Sequence, residues 1–246
     1  MKLEPLHQFK IQQMFDIDLF GIDVSFSNSS LFMILSMASI IILGLLYKVK
    51  YSDADGIVKI NRIHAASELL YEIITKTIYG TCGTNGLKYT AEIFSLFLFI
   101  ILCNAFGMIP GGFTVTSHIV VTFAIALTLF IFVNIVGFAK HGLHYFSLFL
   151  PKGTPAFLAP LMIVIELFTY LSRPFSLALR LAANMTAGHI VLKVFAAFVT
   201  VSGIIGIFPF GMLIILSGFE IFVAILQAYI FTILTCVYLN DAINMH

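Results

Sequence analysis

Three ionisable side chains recur at seven-residue intervals late in the chain: Glu166, Arg173 and Arg180. Seven residues is nearly two helical turns, with a drift of about 20°. On one helix the three would share a face, about 10 Å apart in succession. Asn184 lies one turn past Arg180 on the same face. A second series, Glu220, Gln227 and Asp241, is also spaced at multiples of seven, and Tyr238 falls near its face. All of these residues sit in long apolar runs. Carboxyls, amides and a phenol in such surroundings can form polar routes for protons. A guanidinium keeps its proton at any working pH, so its chemistry there is electrostatic. His189 is nine residues beyond Arg180, about 180° round an ideal helix, and does not share the stripe. An antiparallel hairpin turning at Gly203–Phe210 would bring it near Glu220. Histidine and glutamate are well matched to hand protons on near neutral pH.

The structural alternative is an ion-pair network, with Glu166 joined to Arg173 and Arg180 to some acid. Arg180 fits that alternative less well. No acid on its own helix lies within one turn, so its counter-ion must come from another helix or another protein. An arginine at mid-membrane costs about 2.5–3.5 kcal/mol on insertion scales.

The elements that position these residues follow from composition. Of 246 residues, 60% are hydrophobic and 10% charged, against roughly 25% charged in soluble domains. Mean hydropathy is +1.06. No soluble fold of this size can hide so much apolar surface. A soluble enzyme, a disordered chain and a nucleic-acid binder are excluded, and a polytopic membrane protein is expected. Residues 1–92 carry 17 of the 25 charges, and only eight fall in 93–246: Lys140, Lys152, Glu166, Arg173, Arg180, Lys193, Glu220 and Asp241. The three cysteines, Cys82, Cys103 and Cys236, have no metal-ligand spacing and are expected as unpaired thiols. Gly80-Thr-Cys-Gly-Thr-Asn-Gly-Leu-Lys88 lacks the Gly-Lys-Ser/Thr of a phosphate loop. It is expected to be a flexible turn, and no nucleotide, metal or cofactor site is expected.

The fold class expected is an all-α polytopic membrane protein. Residues 1–30 are an extra-membrane segment of net charge −2, neither a secretory signal nor a transit peptide in composition. Residues 31–246 form a single membrane domain. Spans are expected at 31–47, 93–109 and 119–139, the second closed by Pro110-Gly111-Gly112. The runs 155–201 and 207–243 exceed the ~20 residues that cross a bilayer. They read as two helices each, or as single helices strongly tilted. The second form gives an antiparallel hairpin and five crossings. Residues 52–80 have helical spacing of Ile60, Ile63, Ala66, Leu69, Leu70, Ile73 and Ile74. Ser52 or Asp53 can cap this stretch, Glu72 can pair with Lys76, and Gly80 can end it. It is expected as an amphipathic helix on the membrane surface, with a partner-binding helix as the alternative. Basic loops at 47–88 and 140–152 alternate with loops free of Lys and Arg. The positive-inside rule then puts the N-terminus outside and Asp241 inside.

The stretch Leu171-Ser-Arg-Pro-Phe-Ser-Leu-Ala-Leu-Arg-Leu-Ala-Ala-Asn-Met-Thr-Ala-Gly-His189 resembles subunit a of the rotary ATP synthase, mitochondrial type. The likeness extends over Asn104–Pro110, Thr116–His118, Phe146–Pro151 and Leu226-Gln-Ala-Tyr-Ile-Phe231. It is close over residues 93–246 and one of layout only before that. Met1–Ser30 carries no family motif. The resemblance implies that Arg180 is the essential arginine facing the ring of c subunits, with Asn184 and Gln227 as polar neighbours and a counterpart for Tyr238. It implies that His189 and Glu220 are the outer-side pair, and that Glu166, Arg173 and Asp241 are inner-side residues.

The implied function is a proton-translocating stator with two offset half-channels, without ATP chemistry of its own. Implied partners are the c-ring, the peripheral stalk and small membrane subunits, lipids and protons, but no nucleic acid. The implied location is the mitochondrial inner membrane, with the bacterial plasma membrane as the alternative. Sodium coupling is not fixed by the sequence, although no cluster of hydroxyl and acid ligands favours it. An ion-coupled secondary transporter would need an internal repeat, which is not evident. A purely structural subunit would pair its buried charges internally.

Overall fold

The computed structural model describes residues 11–15, 18–19, 22–23, 25–50, 62–109, 112–150, 155, 157–201 and 206–244. Six helices dominate: α1 (Asn28–Lys50), α2 (Arg62–Cys82), α3 (Thr90–Met108), α4 (Ile119–His141), α5 (Ala159–Val201) and α6 (Ile207–Ile243). Among the described residues, five helical runs are long and apolar enough to cross a membrane, and one of these, Ala65–Met108, joins α2 to α3. The fold is an all-α polytopic membrane fold.

The two long runs are single helices. At 1.5 Å per residue, 43 residues reach about 65 Å and 37 about 55 Å, roughly twice a ~30 Å hydrocarbon core. Pro160 and Pro209 lie in first turns, where a missing N–H breaks no helical bond. Pro174 is interior to α5, and the helix continues through it. The expected turn at Gly203–Phe210 falls partly outside the described residues. The same is true of Pro110 and Gly111, of Lys152, and of residues 52–61 with their expected cap.

Three local findings differ from the sequence reading. α2 runs through Gly80 to Cys82 and stops before Gly83, whose φ of +65° suits glycine. The stretch Gly83–Tyr89 is a 3-10 helix rather than a flexible turn. Near the N-terminus, four short strands form two antiparallel pairs, Gln13–Phe15 with Phe26–Ser27 and Asp18–Leu19 with Ile22–Asp23. Gln12 and Asn28 exchange hydrogen bonds there, and Ser27 Oγ accepts from Ser30 N–H as an N-cap of α1. On α2, Ile74 and Ile78 are buried, Leu69 and Ile73 are exposed, and Glu72 pairs with Lys76 at 2.7 Å.

The chain divides into two compact units. The first comprises Met1–Lys59, Phe97–Val121 and Leu181–Tyr229. Within it, Phe32 packs on Phe113, Cys103 Sγ donates to Ser36 Oγ, and Asn104 Nδ2 donates to Ala224 O at 3.1 Å. The second comprises Ile60–Leu96, Thr122–Arg180 and Ile230–His246. Within it, Cys82 Sγ donates to Cys236 O. Lys140 Nζ and His141 Nε2 both meet Ile243 O, one of the last carbonyls of α6. All three cysteines are free and buried.

Gly137 on α4 makes room for Tyr145, whose ring would stand 2.3 Å from a Cβ there. Tyr145 is itself buried and held by Tyr170. Gly137→Ala is therefore expected to destabilise the chain by about 1–3 kcal/mol, the usual range for overpacking. Thermal unfolding of the purified complex would show a lower midpoint for this subunit's loss.

Candidate functional site

In the first unit α5 and α6 run antiparallel, because positions rising along α5 meet positions falling along α6. Asn184 Nδ2 donates to Gln227 Oε1 at 2.9 Å, and His189 Nδ1 lies 3.5 Å from Glu220 Oε1. His189, Glu220 and Gln227 are buried, and Asn184 is exposed. Close approach at the pair needs Gly188, since a Cβ there would stand 2.7 Å from Glu220 Oε1. Two buried polar atoms, Glu220 Oε1 and Gln227 Nε2, lack a hydrogen-bond partner among the described residues. Unmatched polar atoms in a buried setting are costly, and they cluster here along one polar seam. Around that seam, Thr114 Oγ1 reaches His189 Nε2 at 3.0 Å, Thr116 donates to Asn104 Oδ1, and Thr186 donates to Ser117 O. In the same connection between α3 and α4, His118 stacks on Phe113, and burial pushes its imidazole below the usual value.

In the second unit Arg173 is fully engaged. Its Nη1 is 3.0 Å from Asp241 Oδ2, and its guanidinium lies over the rings of Tyr170 and Tyr238, at 5.1 Å and 4.8 Å from their centroids. Tyr170 OH donates to Asn134 Oδ1 at 2.8 Å, so the 2.8 Å contact with Tyr145 has Tyr145 donating. Arg173 thus pairs across to α6 and not with Glu166 on its own helix. Glu166 is half-buried and forms no ion pair among the described residues.

Arg180 contrasts with Arg173. It is exposed and has no ion pair among the described residues. The residues that share its exposed stripe are Ser176, Ala183, Asn184 and Ala187, all small or polar. The opposite stripe of α5, Leu177, Ala178, Leu181, Ala182 and Met185, is buried. One side of the helix packs, and on the other Arg180 lies in a stripe of small or polar residues. Small residues at such a face let another helix approach closely.

The model of the family described as ATP synthase A chain matches residues 30–240. The chain belongs to the ATP synthase A chain family. It is accordingly a multi-pass membrane subunit of the proton-translocating ATP synthase, and not the subunit that carries the ATP chemistry. The match begins after the N-terminal strands, which end at Ser27.

Sequence reasoning singled out the charged members of both clusters and the amides Asn184 and Gln227. It missed Thr114, Asn134, Tyr145 and Tyr170 as members. Thr114 had a signal, since Thr114-Val-Thr-Ser-His118 is a polar patch between two apolar helices. Tyr145 had none, because only the packing of Gly137 and Tyr170 explains its burial.

A methyl at position 188 should displace the Glu220 carboxyl. Gly188→Ala is expected to slow ATP-driven proton pumping by about tenfold or more, a barrier change of at least ~1.4 kcal/mol. Gly44→Ala, where nothing lies within 4 Å of the added Cβ, is expected to pump normally. Acid-quench dye assays on membrane vesicles compare the two.

Proposed function

We propose that this chain is the stator half of a proton-driven rotary motor, with Arg180 as the fixed charge past which a ring of c subunits turns. Each c subunit is taken to carry one membrane-embedded carboxyl. A protonated carboxyl can face lipid, whereas an ionised one pays several kcal/mol of desolvation. Arg180 favours the ionised form as each carboxyl passes, and so drives proton release there. It also blocks a direct leak between two offset half-channels. His189 and Glu220 serve the outer half-channel, and Glu166, Asp241 and Arg173 the inner one. Asn184 and Gln227 are polar neighbours of Arg180. A proton crossing 100 mV yields about 2.3 kcal/mol, which ring rotation passes to catalytic subunits for ATP synthesis.

The observation that carries this reading is the difference between the two arginines of α5. Arg173 has an acid and two aromatic faces, while Arg180 is exposed on a stripe of small residues with no ion pair among the described residues. A purely structural role would pair both. In this reading the N-terminus faces outward and the C-terminal end of α6 faces the mitochondrial matrix. The peripheral stalk and small membrane subunits cover other surfaces. α2 lies on the inner membrane surface, which its exposed Leu69, Tyr71 and Ile73 beside Glu72 and Lys76 support.

Arg180→Ala is expected to leave the complex assembled and ATP hydrolysis on the catalytic subunits measurable, while ATP-driven proton pumping is lost. Normal pumping by the assembled variant would overturn the proposal.

A further inference from the structure

We infer that Thr114 is a positioning residue for His189: it fixes the neutral imidazole's proton on Nε2 and so directs the Nδ1 lone pair toward Glu220. The inference rests on the reading of His189 and Glu220 as a proton relay. Thr114 is fully buried in the connection between α3 and α4. Its Oγ1 lies 3.3 Å from Gly107 O and 3.0 Å from His189 Nε2. A hydroxyl has one proton and a carbonyl can only accept. Both contacts are hydrogen bonds at once only when the hydroxyl proton goes to Gly107 O and the hydroxyl oxygen accepts from Nε2–H. In a neutral imidazole that puts the lone pair on Nδ1, 3.5 Å from Glu220 Oε1. This oxygen is the one without a hydrogen-bond partner among the described residues. Gly107 permits the arrangement, since a Cβ there would stand 2.8 Å from Thr114 Cγ2.

The tautomer decides whether the pair can exchange a proton. With the lone pair on Nδ1, a protonated Glu220 can hand its proton across. One O–H bond breaks, one N–H bond forms, and a neutral pair becomes a carboxylate and an imidazolium. The return step reverses both changes. With the proton on Nδ1 instead, neutral His189 would donate to the carboxylate and could not receive from it. The 3.5 Å gap is a few tenths of an ångström longer than a transfer-ready contact of about 2.6–3.2 Å, a difference that small side-chain motions close. The charged groups on the elements beside His189 are Glu220 on α6 and Lys193 one turn further along α5.

The test measures ATP-driven proton pumping against pH in vesicles holding the assembled complex. Thr114→Val keeps the shape and removes the hydroxyl. It is expected to slow pumping about tenfold, the effect of losing one well-placed hydrogen bond, and to displace the pH profile. Thr114→Ser is expected to restore both. A Val variant with wild-type rate and profile, or a Ser variant as impaired as Val, would overturn the inference. Glu220→Gln separates the two levels. If it is impaired while Thr114→Val is normal, only the role of Thr114 fails; if it pumps normally, the relay reading itself fails. Should Thr114→Val not assemble, ¹⁵N-histidine NMR of the unmutated complex, with His189→Gln to assign the signal, reads the tautomer directly. A neutral His189 protonated at Nε2 supports the inference, and one protonated at Nδ1 overturns it.

Discussion

A guanidinium in an apolar helix has no way to shed its charge. A lysine or carboxyl in the same place can neutralise itself by moving its proton, and an arginine cannot. Its setting must then supply an anion, a polar surface, or a partner that arrives and leaves. The chain uses the first solution for Arg173, and in the proposed motor Arg180 depends on the last. Asp241, Tyr170 and Tyr238 hold Arg173 in place. Arg180 has small neighbours on its stripe and no ion pair among the described residues. In the proposed motor that lack is what allows a succession of carboxylates to visit it, one at a time.

The packing on the other side of α5 makes this possible. Leu177, Ala178, Leu181, Ala182 and Met185 are buried along one stripe, which fixes the rotation of the helix and hence the direction of Arg180. Pro174 interrupts no more than local hydrogen bonding, and α5 remains one helix over 43 residues. Length has a consequence of its own. Helices about twice the thickness of the hydrocarbon core cannot stand upright in it. Strong tilt lets one helix carry polar residues at several depths, as a sequence of proton sites requires. Glycines permit close approaches within each unit: Gly188 beside Glu220, Gly107 beside Thr114, and Gly137 beside Tyr145.

Much of this was legible before any coordinates. Heptad spacing placed Glu166, Arg173 and Arg180 on one helix, and charge-free apolar runs gave α1, α3 and α4 to within a few residues. Periodicity on one chain cannot choose between partners, however. Glu166 and Asp241 were both available to Arg173, and only the antiparallel meeting of α5 and α6 selects Asp241. Uncharged hydroxyls were hardest to see. Thr114 and Tyr145 look like ordinary members of loops until packing puts them against His189 and Tyr170. The N-terminal strand pairs had no alternation strong enough to announce them, being only two or three residues each. Gly80 was a plausible helix end, but φ at Gly83 shows where the left-handed residue is needed.

In the proposed motor the Ser176–Ala183–Ala187 stripe carrying Arg180 is the face against which the ring carboxyls pass. Disulfide cross-linking tests it, because a bond forms only when two Cα atoms come within about 7 Å. Single cysteines would be placed at Ala183 and Ala187, and for comparison at exposed Ile131 on α4, each combined with a cysteine beside the c-subunit carboxyl. Native Cys82, Cys103 and Cys236 are buried. Mild oxidation of the assembled complex is expected to join the ring to positions 183 and 187 and not to 131. Cross-links from position 131 with none from 183 or 187 would contradict the account.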